Sequence, residues 1–211
     1  MPRQRRPFQR KLEFRDASLF VIACEGAVTE PKYFNGLKEK LHASRIRVLI
    51  LQRLDASRSS PEAIKGMMNN FVRLESLRDG DQLWLVIDRD SWPIKTISEV
   101  AQDCHQKGYF LAVSNPCFEF WLLLHFEDVA NQAEERKKEI FQNKKDFLKK
   151  EIVRILEEYP NAHSIFDFDD FDHRTKEAVR RARQMDDPNV RWPDGLGTRV
   201  HLLVGNLISL S

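Results

Sequence analysis

"LFVIACEGAVTEPKYF", residues 19–34, decides the fold. Its opening LFVIAC is apolar without alternation, which suits a strand buried on both faces of a parallel sheet. "TEPKYFNGLKEKLH" follows with helical spacing: Thr29 is read as the cap, Pro31 lies in the first turn, and Tyr33, Phe34, Leu37 and Leu41 share one face. Between strand and helix stands Glu25, a carboxylate at the carboxyl end of a buried strand.

Outward from this unit the alternation repeats. "RIRVLILQRL" reads as a second strand, and "SSPEAIKGMMNNFVRLESL" as a helix capped by Ser60 with Pro61 at its first position. "DQLWLVID" is a third strand, and "TISEVAQDCHQKG" a helix closed by Gly108. "YFLAVS" is a fourth strand, followed by a strongly apolar helix, "PCFEFWLLLHF". The predicted fold class is α/β: a mostly parallel four-stranded sheet flanked by helices, over residues 18–128. Residues 129–211 read as an all-helical C-terminal elaboration packed on the sheet. It holds one long charged helix, "EERKKEIFQNKKDFLKKEIVRILEEY", with Phe141, Leu148, Ile152, Ile155 and Tyr159 along a stripe. An acidic aromatic stretch, "FDFDDFD", a helix near 174–185, a turn-rich tract and a last helix from Thr198 complete it.

A chain of 211 residues with net charge +2 can bury a sizeable core, and any affinity for nucleic acid must come from local patches. Residues 1–17 form a basic N-terminal arm carrying Arg3, Arg5, Arg6, Arg10 and Lys11. Two readings stay open for it, a solvated terminus and a nucleic-acid-binding arm that grips phosphates. Cys24, Cys104 and Cys117 lack CxxC spacing and read as buried free thiols of a reducing compartment. No stretch approaches the roughly 18 apolar residues of a membrane span, and no apolar signal core opens the chain, so a cytoplasmic protein is expected.

Ligand sites of open parallel sheets form beyond the carboxyl ends of the strands. Glu25 ends the first strand, Asp88 and Asp90 end the third in "LWLVIDRDSW", and Glu119 in "SNPCFEFW" lies just past the fourth. Carboxylates gathered at one rim repel unless a cation holds them, and hard oxygen donors without His or Cys suit Mg²⁺ or Mn²⁺. Such an ion implies phosphodiester cleavage or transfer. The plainer alternative is that Asp88 and Asp90 cap the third helix or solvate a loop. Lys32, on a helix N-terminus, and Arg89, between the aspartates, are candidates for phosphate contact, against a solvent-facing role for Arg89. Ser114 and Asn115 either orient substrate or cap the fourth helix. His125 lies about 240° around a helix from Glu119 and is read as structural; His201 approaches the site only if the last helix packs back on the sheet. "FDFDDFD" lacks the features of a calcium loop and reads as an acidic surface turn. "KKDFLKK" and "RRAR" read as solvated faces or as part of a nucleic-acid track.

A Glu after the first strand and a DxD after the third resemble the Toprim domain of topoisomerases, primases and certain nucleases. More narrowly, "CEGAVTEPKYF", "VIDRD", "SNPCFEFWLLLHF" and the terminal "GTRVHLLVGNL" resemble the RloB family, linked to restriction loci. The resemblance implies a Toprim-like nuclease of anti-phage defence. By it, Glu25 matches the Toprim glutamate as ligand or general acid/base, and Asp88 and Asp90 the metal-binding pair. Glu30 and Glu119 match further acidic positions. The chain holds no GxxxxGK[ST], so any ATPase would be a separate AAA- or ABC-type partner.

The leading reading is a Mg²⁺- or Mn²⁺-dependent nuclease acting on DNA or RNA, tRNA included. Its rivals are a phosphohydrolase or nucleotidyltransferase on a similar sheet, and a non-catalytic module that binds nucleic acid or an ATPase. An aspartyl-phosphate phosphatase usually carries its DxD after the first strand, which disfavours that rival. A homo-oligomer stays open through the apolar helix at 117–126, whose simpler reading is core.

Overall fold

The computed structural model describes residues 17–41, 46–51, 60–89, 92–157 and 169–210. The basic residues of the arm, Asp90 and residues 166–168 of "FDFDDFD" lie outside them, while residues 169–172 of that stretch are helical rather than a turn. Four parallel strands form where the apolar runs predict: β1 (Ser18–Cys24), β2 (Ile46–Leu51), β3 (Gln82–Asp88) and β4 (Phe110–Asn115). Helices α1 (Thr29–Lys40), α2 (Pro61–Leu74) and α3 (Ile94–Lys107) connect them, and with a short fifth strand, β5 (Gly197–Thr198), the sheet order is β2-β1-β3-β4-β5. Successive residues of β1 feed opposite cores, as the period of a strand demands. Phe20, Ile22 and Cys24 pack with α1 and the C-terminal helices, while Leu19, Val21 and Ala23 pack with α2 and α3. Trp84 and Val86 of β3 repeat the first pattern, and Leu83, Leu85 and Ile87 the second.

Local signals set the ends of two helices as expected. The Ser60 hydroxyl accepts the Ala63 N–H at 3.1 Å with Pro61 at the first position of α2, and Gly108 ends α3 in a left-handed conformation at φ 69°. At α1 the expectation fails: Thr29 is its first helical residue, Val28 holds the cap position, and no side chain caps it. Cys24, Cys104 and Cys117 are free and buried, as expected.

After β4, α4 (Phe118–Leu123) has only six residues, too few to stand on helical hydrogen bonds alone. Packing stabilises it: Phe118, Phe120, Trp121, Leu122 and Leu123 are buried, each contributing about 1.5–3 kcal/mol. Glu119 is the one residue of α4 outside that core. The long charged helix divides into α5 (Glu134–Gln142) and α6 (Phe147–Glu157). Asn143, Lys145 and Asp146 adopt φ of 40°, 56° and 59°, through which no right-handed helix can run. Asn143 stabilises the break, its Oδ1 accepting the Leu148 N–H at 2.9 Å. Ile140 is accordingly buried in place of Phe141, which is exposed. Then come α7 (Asp169–Asp172), α8 (Thr175–Gln184) and α9 (Val200–Leu210). The turn-rich tract hides a strand the sequence reading missed, β5 (Gly197–Thr198), antiparallel to β4 with Ser114 opposite Thr198. No helix among the described residues is long and apolar enough to cross a membrane.

Candidate functional site

β1 is flanked by β2 on one side and β3 on the other, so chain order reverses between β1 and β3. That reversal places a crevice at their carboxyl ends. Glu25 extends the ladder by one residue, its N–H bonding the Val86 carbonyl at 2.9 Å. Its side chain then turns across the crevice: Oε2 accepts the Asp88 N–H at 3.0 Å, and Oε1 accepts the Trp92 indole N–H at 2.6 Å. Glu25 is 8% exposed, so these donors offset the loss of water. Glu25 is therefore aimed at the rim and locked there. Asp88 does not cap α3, which starts after Pro93 without a side-chain cap. Trp92, half-buried, escaped sequence reasoning; its indole is a donor only, and nothing in "DRDSW" shows which acceptor it meets.

Glu30 is more central than its position inside α1 suggests. It is 5% exposed, and its Oε1 accepts the Gly26 N–H at 2.7 Å, folding back over the turn that presents Glu25. A Cβ on Gly26 would overlap this carboxylate, so a side chain there would displace Glu30, while the backbone itself is not in the left-handed region. Burial raises the Glu30 pKa, backbone hydrogen bonds oppose the rise, and repulsion by Glu119 and Glu25 adds to it. Three carboxylates from three elements thus share one electrostatic neighbourhood.

A family model described as RloB-like protein matches residues 20–207, from within β1 to within α9. The chain belongs to the RloB-like family. No curated protein and no solved structure matches it.

Other expected site residues of this RloB-like chain have different places. Lys32 is exposed and its N–H is taken by the Val28 carbonyl at 3.0 Å, so it offers no helix-end N–H. Ser114 and Asn115 do not cap α4, whose cap position is Cys117. The Ser114 hydroxyl instead meets that of Thr198 at 2.8 Å, and the Asn115 amide donates to the Pro193 and Asp194 carbonyls at 3.0 and 2.9 Å. Both pin β5 and its preceding loop to the end of β4. His201 is buried with Nδ1 on the Thr198 carbonyl at 2.8 Å and Nε2 facing Asp186 at 3.7 Å. Burial lowers its pKa, opposed by the hydrogen bond to Thr198; it braces the β5 corner. Arg89 is half-buried, its Nη1 donating to the Trp92 carbonyl at 3.0 Å.

His125 is structural, as read. Its Nδ1 lies 3.0 Å from the Trp121 carbonyl, which makes Nδ1 the protonated nitrogen, and the Tyr33 hydroxyl lies 3.2 Å from Nε2. Burial drives its pKa down to about 3. Tyr33 and Phe34 are core. In "RRAR", Arg180 pairs with Glu177 at 2.5 Å and Arg181 donates to the Leu124 carbonyl at 2.8 Å. Arg180 thus lies on an exposed, solvated face, and half-buried Arg181 ties α8 to the end of α4.

Among the described residues no group of three His, Cys, Asp or Glu side chains is gathered to hold a metal ion. Mg²⁺ needs fewer protein ligands, since it binds through one or two carboxylates together with waters and substrate phosphates. Glu25 and Asp88, on neighbouring strand ends, fit that donor set. A carboxylate has about four acceptor positions, so the bonds from Asp88 and Trp92 do not by themselves saturate Glu25.

Proposed function

We propose that this RloB-like chain is a Toprim-type, Mg²⁺- or Mn²⁺-dependent nuclease that hydrolyses phosphodiester bonds of DNA or RNA in anti-phage defence. The observation that carries the reading is the bridge at the β1/β3 crevice, where Glu25 takes the backbone N–H of Asp88 and the indole of Trp92. Glu25 and Asp88 would hold the ion, and the resemblance assigns Asp90 of the DxD pair to it as well. Bound there, the ion supplies an activated water and offsets charge on the phosphoryl group. The chain's own part is to orient. Trp92 and the Asp88 N–H hold Glu25 in one rotamer, and Gly26 and Glu30 hold the turn behind it. Glu119 stands at the rim of the same acidic neighbourhood. The resemblance to Toprim defence nucleases suggests a separate AAA- or ABC-type ATPase partner.

One observation favours a second reading, a non-catalytic binding module: both Glu25 oxygens accept hydrogen bonds, as in a purely structural staple. The deciding experiment is cleavage of plasmid, single-stranded DNA and tRNA with Mg²⁺ or Mn²⁺ by wild type, Glu25→Gln and Asp88→Asn. Cleavage should fall at least about 100-fold in both variants, the scale expected when an electrostatic catalytic group is removed, with folding unchanged by circular dichroism. A wild type that neither cleaves these substrates nor binds the metal by calorimetry in their presence would leave the second reading standing.

A further inference from the structure

We infer that Arg89 is the phosphate anchor of this site, its guanidinium taking a phosphodiester oxygen of the bound strand. The inference rests on the nucleic-acid reading above and names the group that recognises the backbone.

Arg89 directly follows Asp88, the last residue of β3, so its backbone continues along the same strand-end rim, although the two side chains leave it on opposite faces. Its main chain is fixed at the rim: the N–H lies 2.9 Å from the Ser114 carbonyl and 3.2 Å from that of Pro116. Nη1 donates to the Trp92 carbonyl at 3.0 Å. Trp92 in turn donates its indole to Glu25, so the guanidinium and the Glu25 carboxylate are tied to the same residue. Nε is buried without a hydrogen-bond partner.

Other half-buried arginines of this chain are treated differently. Arg136 reaches Glu127 and Glu151 at 2.8 and 2.6 Å. Arg199 reaches Asp186 at 3.0 Å and the carbonyls of Asp187, Val190 and Arg191. Arg181 has Glu177 at 3.5 Å as well as the Leu124 carbonyl. Among the described residues Arg89 has no carboxylate partner, and one side-chain hydrogen bond serves a group with five donors. A cation drawn partly out of water without a counter-charge is unfavourable. An anionic oxygen pair removes the penalty, and the planar fork matches phosphate bidentately. A phosphate held there would share the rim with Glu25, to which Arg89 is linked through Trp92.

The test is equilibrium binding of the full chain to fluorescein-labelled single-stranded DNA, and to RNA of the same sequence. Anisotropy is read across a salt series with Ca²⁺ replacing Mg²⁺. Arg89→Ala should weaken binding about tenfold, as for loss of a hydrogen bond to a charged group. It should also lower the salt slope by about 0.7, the contribution of one phosphate contact on a single strand. Arg89→Lys should restore the slope but not the full affinity, because it keeps the charge and loses the fork. Strands with a single neutral methylphosphonate, scanned along the sequence, should weaken wild type at one linkage and leave Arg89→Ala indifferent there. A merely structural arginine would lower the melting temperature and leave that coupling and the slope unchanged, which overturns the inference. Wild type binding neither strand also overturns it. Failure of the nuclease reading looks different: the slope change persists while Mg²⁺ gives no cleavage. A DNA or RNA preference common to wild type and Arg89→Ala identifies the strand that supplies the phosphate.

Discussion

Replacing Gly26 by alanine should destabilise the protein by about 2–3 kcal/mol, and the cause should be one side chain four residues along the chain, Glu30. Gly26 does not occupy the left-handed region, so alanine brings no backbone strain there. What the new methyl meets is the Glu30 carboxylate. That carboxylate is 5% exposed and accepts the Gly26 N–H at 2.7 Å. To make room it must rotate away, and a hydrogen bond to a charged acceptor is lost, about 1.5–3 kcal/mol. For a chain of this size the melting temperature should fall by roughly 5–10 °C. The assay is urea denaturation followed by tryptophan fluorescence, run as a double-mutant cycle with Glu30→Ala. In that background there is no carboxylate to displace and no acceptor to lose. Gly26→Ala should then cost under about 0.5 kcal/mol, giving a coupling of about 2 kcal/mol. An equal cost in both backgrounds would refute the account of this turn.

Trp92→Phe keeps an aromatic ring but removes the donor to Glu25, and should cost about 1.5–3 kcal/mol in urea denaturation; a variant as stable as wild type would mean the 2.6 Å contact contributes nothing. His125 has its folded pKa lowered to about 3 against an ordinary 6.5. Its contribution is therefore intact above pH 6.5 and lost as pH falls from 6.5 toward 3, where the unfolded chain takes up the proton first. Stability should decline by about 1.4 kcal/mol per pH unit from this group. His125→Phe should show a slope shallower by one proton in that window, and an unchanged slope would place the acid sensitivity elsewhere. Asn143→Ala should cost about 1–2 kcal/mol, through a left-handed φ and a lost cap on Leu148. Asn143→Gly, which tolerates the φ, should lose less; the same urea titration would reject the argument if alanine proved the milder change.

The sequence by itself determined the α/β alternation. Unbroken apolar runs announce strands buried on both faces, and Ser60-Pro61 and Gly108 announce helix ends through chemistry confined to a few neighbouring residues. It also put Glu25 and Asp88 at strand ends, because a strand's length is written in its apolar run. Tertiary structure decided everything that depends on distant partners. β5 has two residues and no pattern; it exists because the Ser114 and Thr198 hydroxyls meet across 84 positions. The divide between α5 and α6 interrupts a charged run with continuous helical spacing, and Asn143's reach to Leu148 and the burial of Ile140 fix where it falls. Ser114 and Asn115 look like caps beside a helix, yet the loop before β5 claims them. Glu30 reads as one more acid on a helix until the Gly26 turn folds beneath it, and Trp92 as an incidental aromatic until Glu25 arrives from another strand. Periodicity is a local property and survives in the linear order. Hydrogen bonds between buried polar groups join residues that only the folded chain makes neighbours, and the candidate site is built from those.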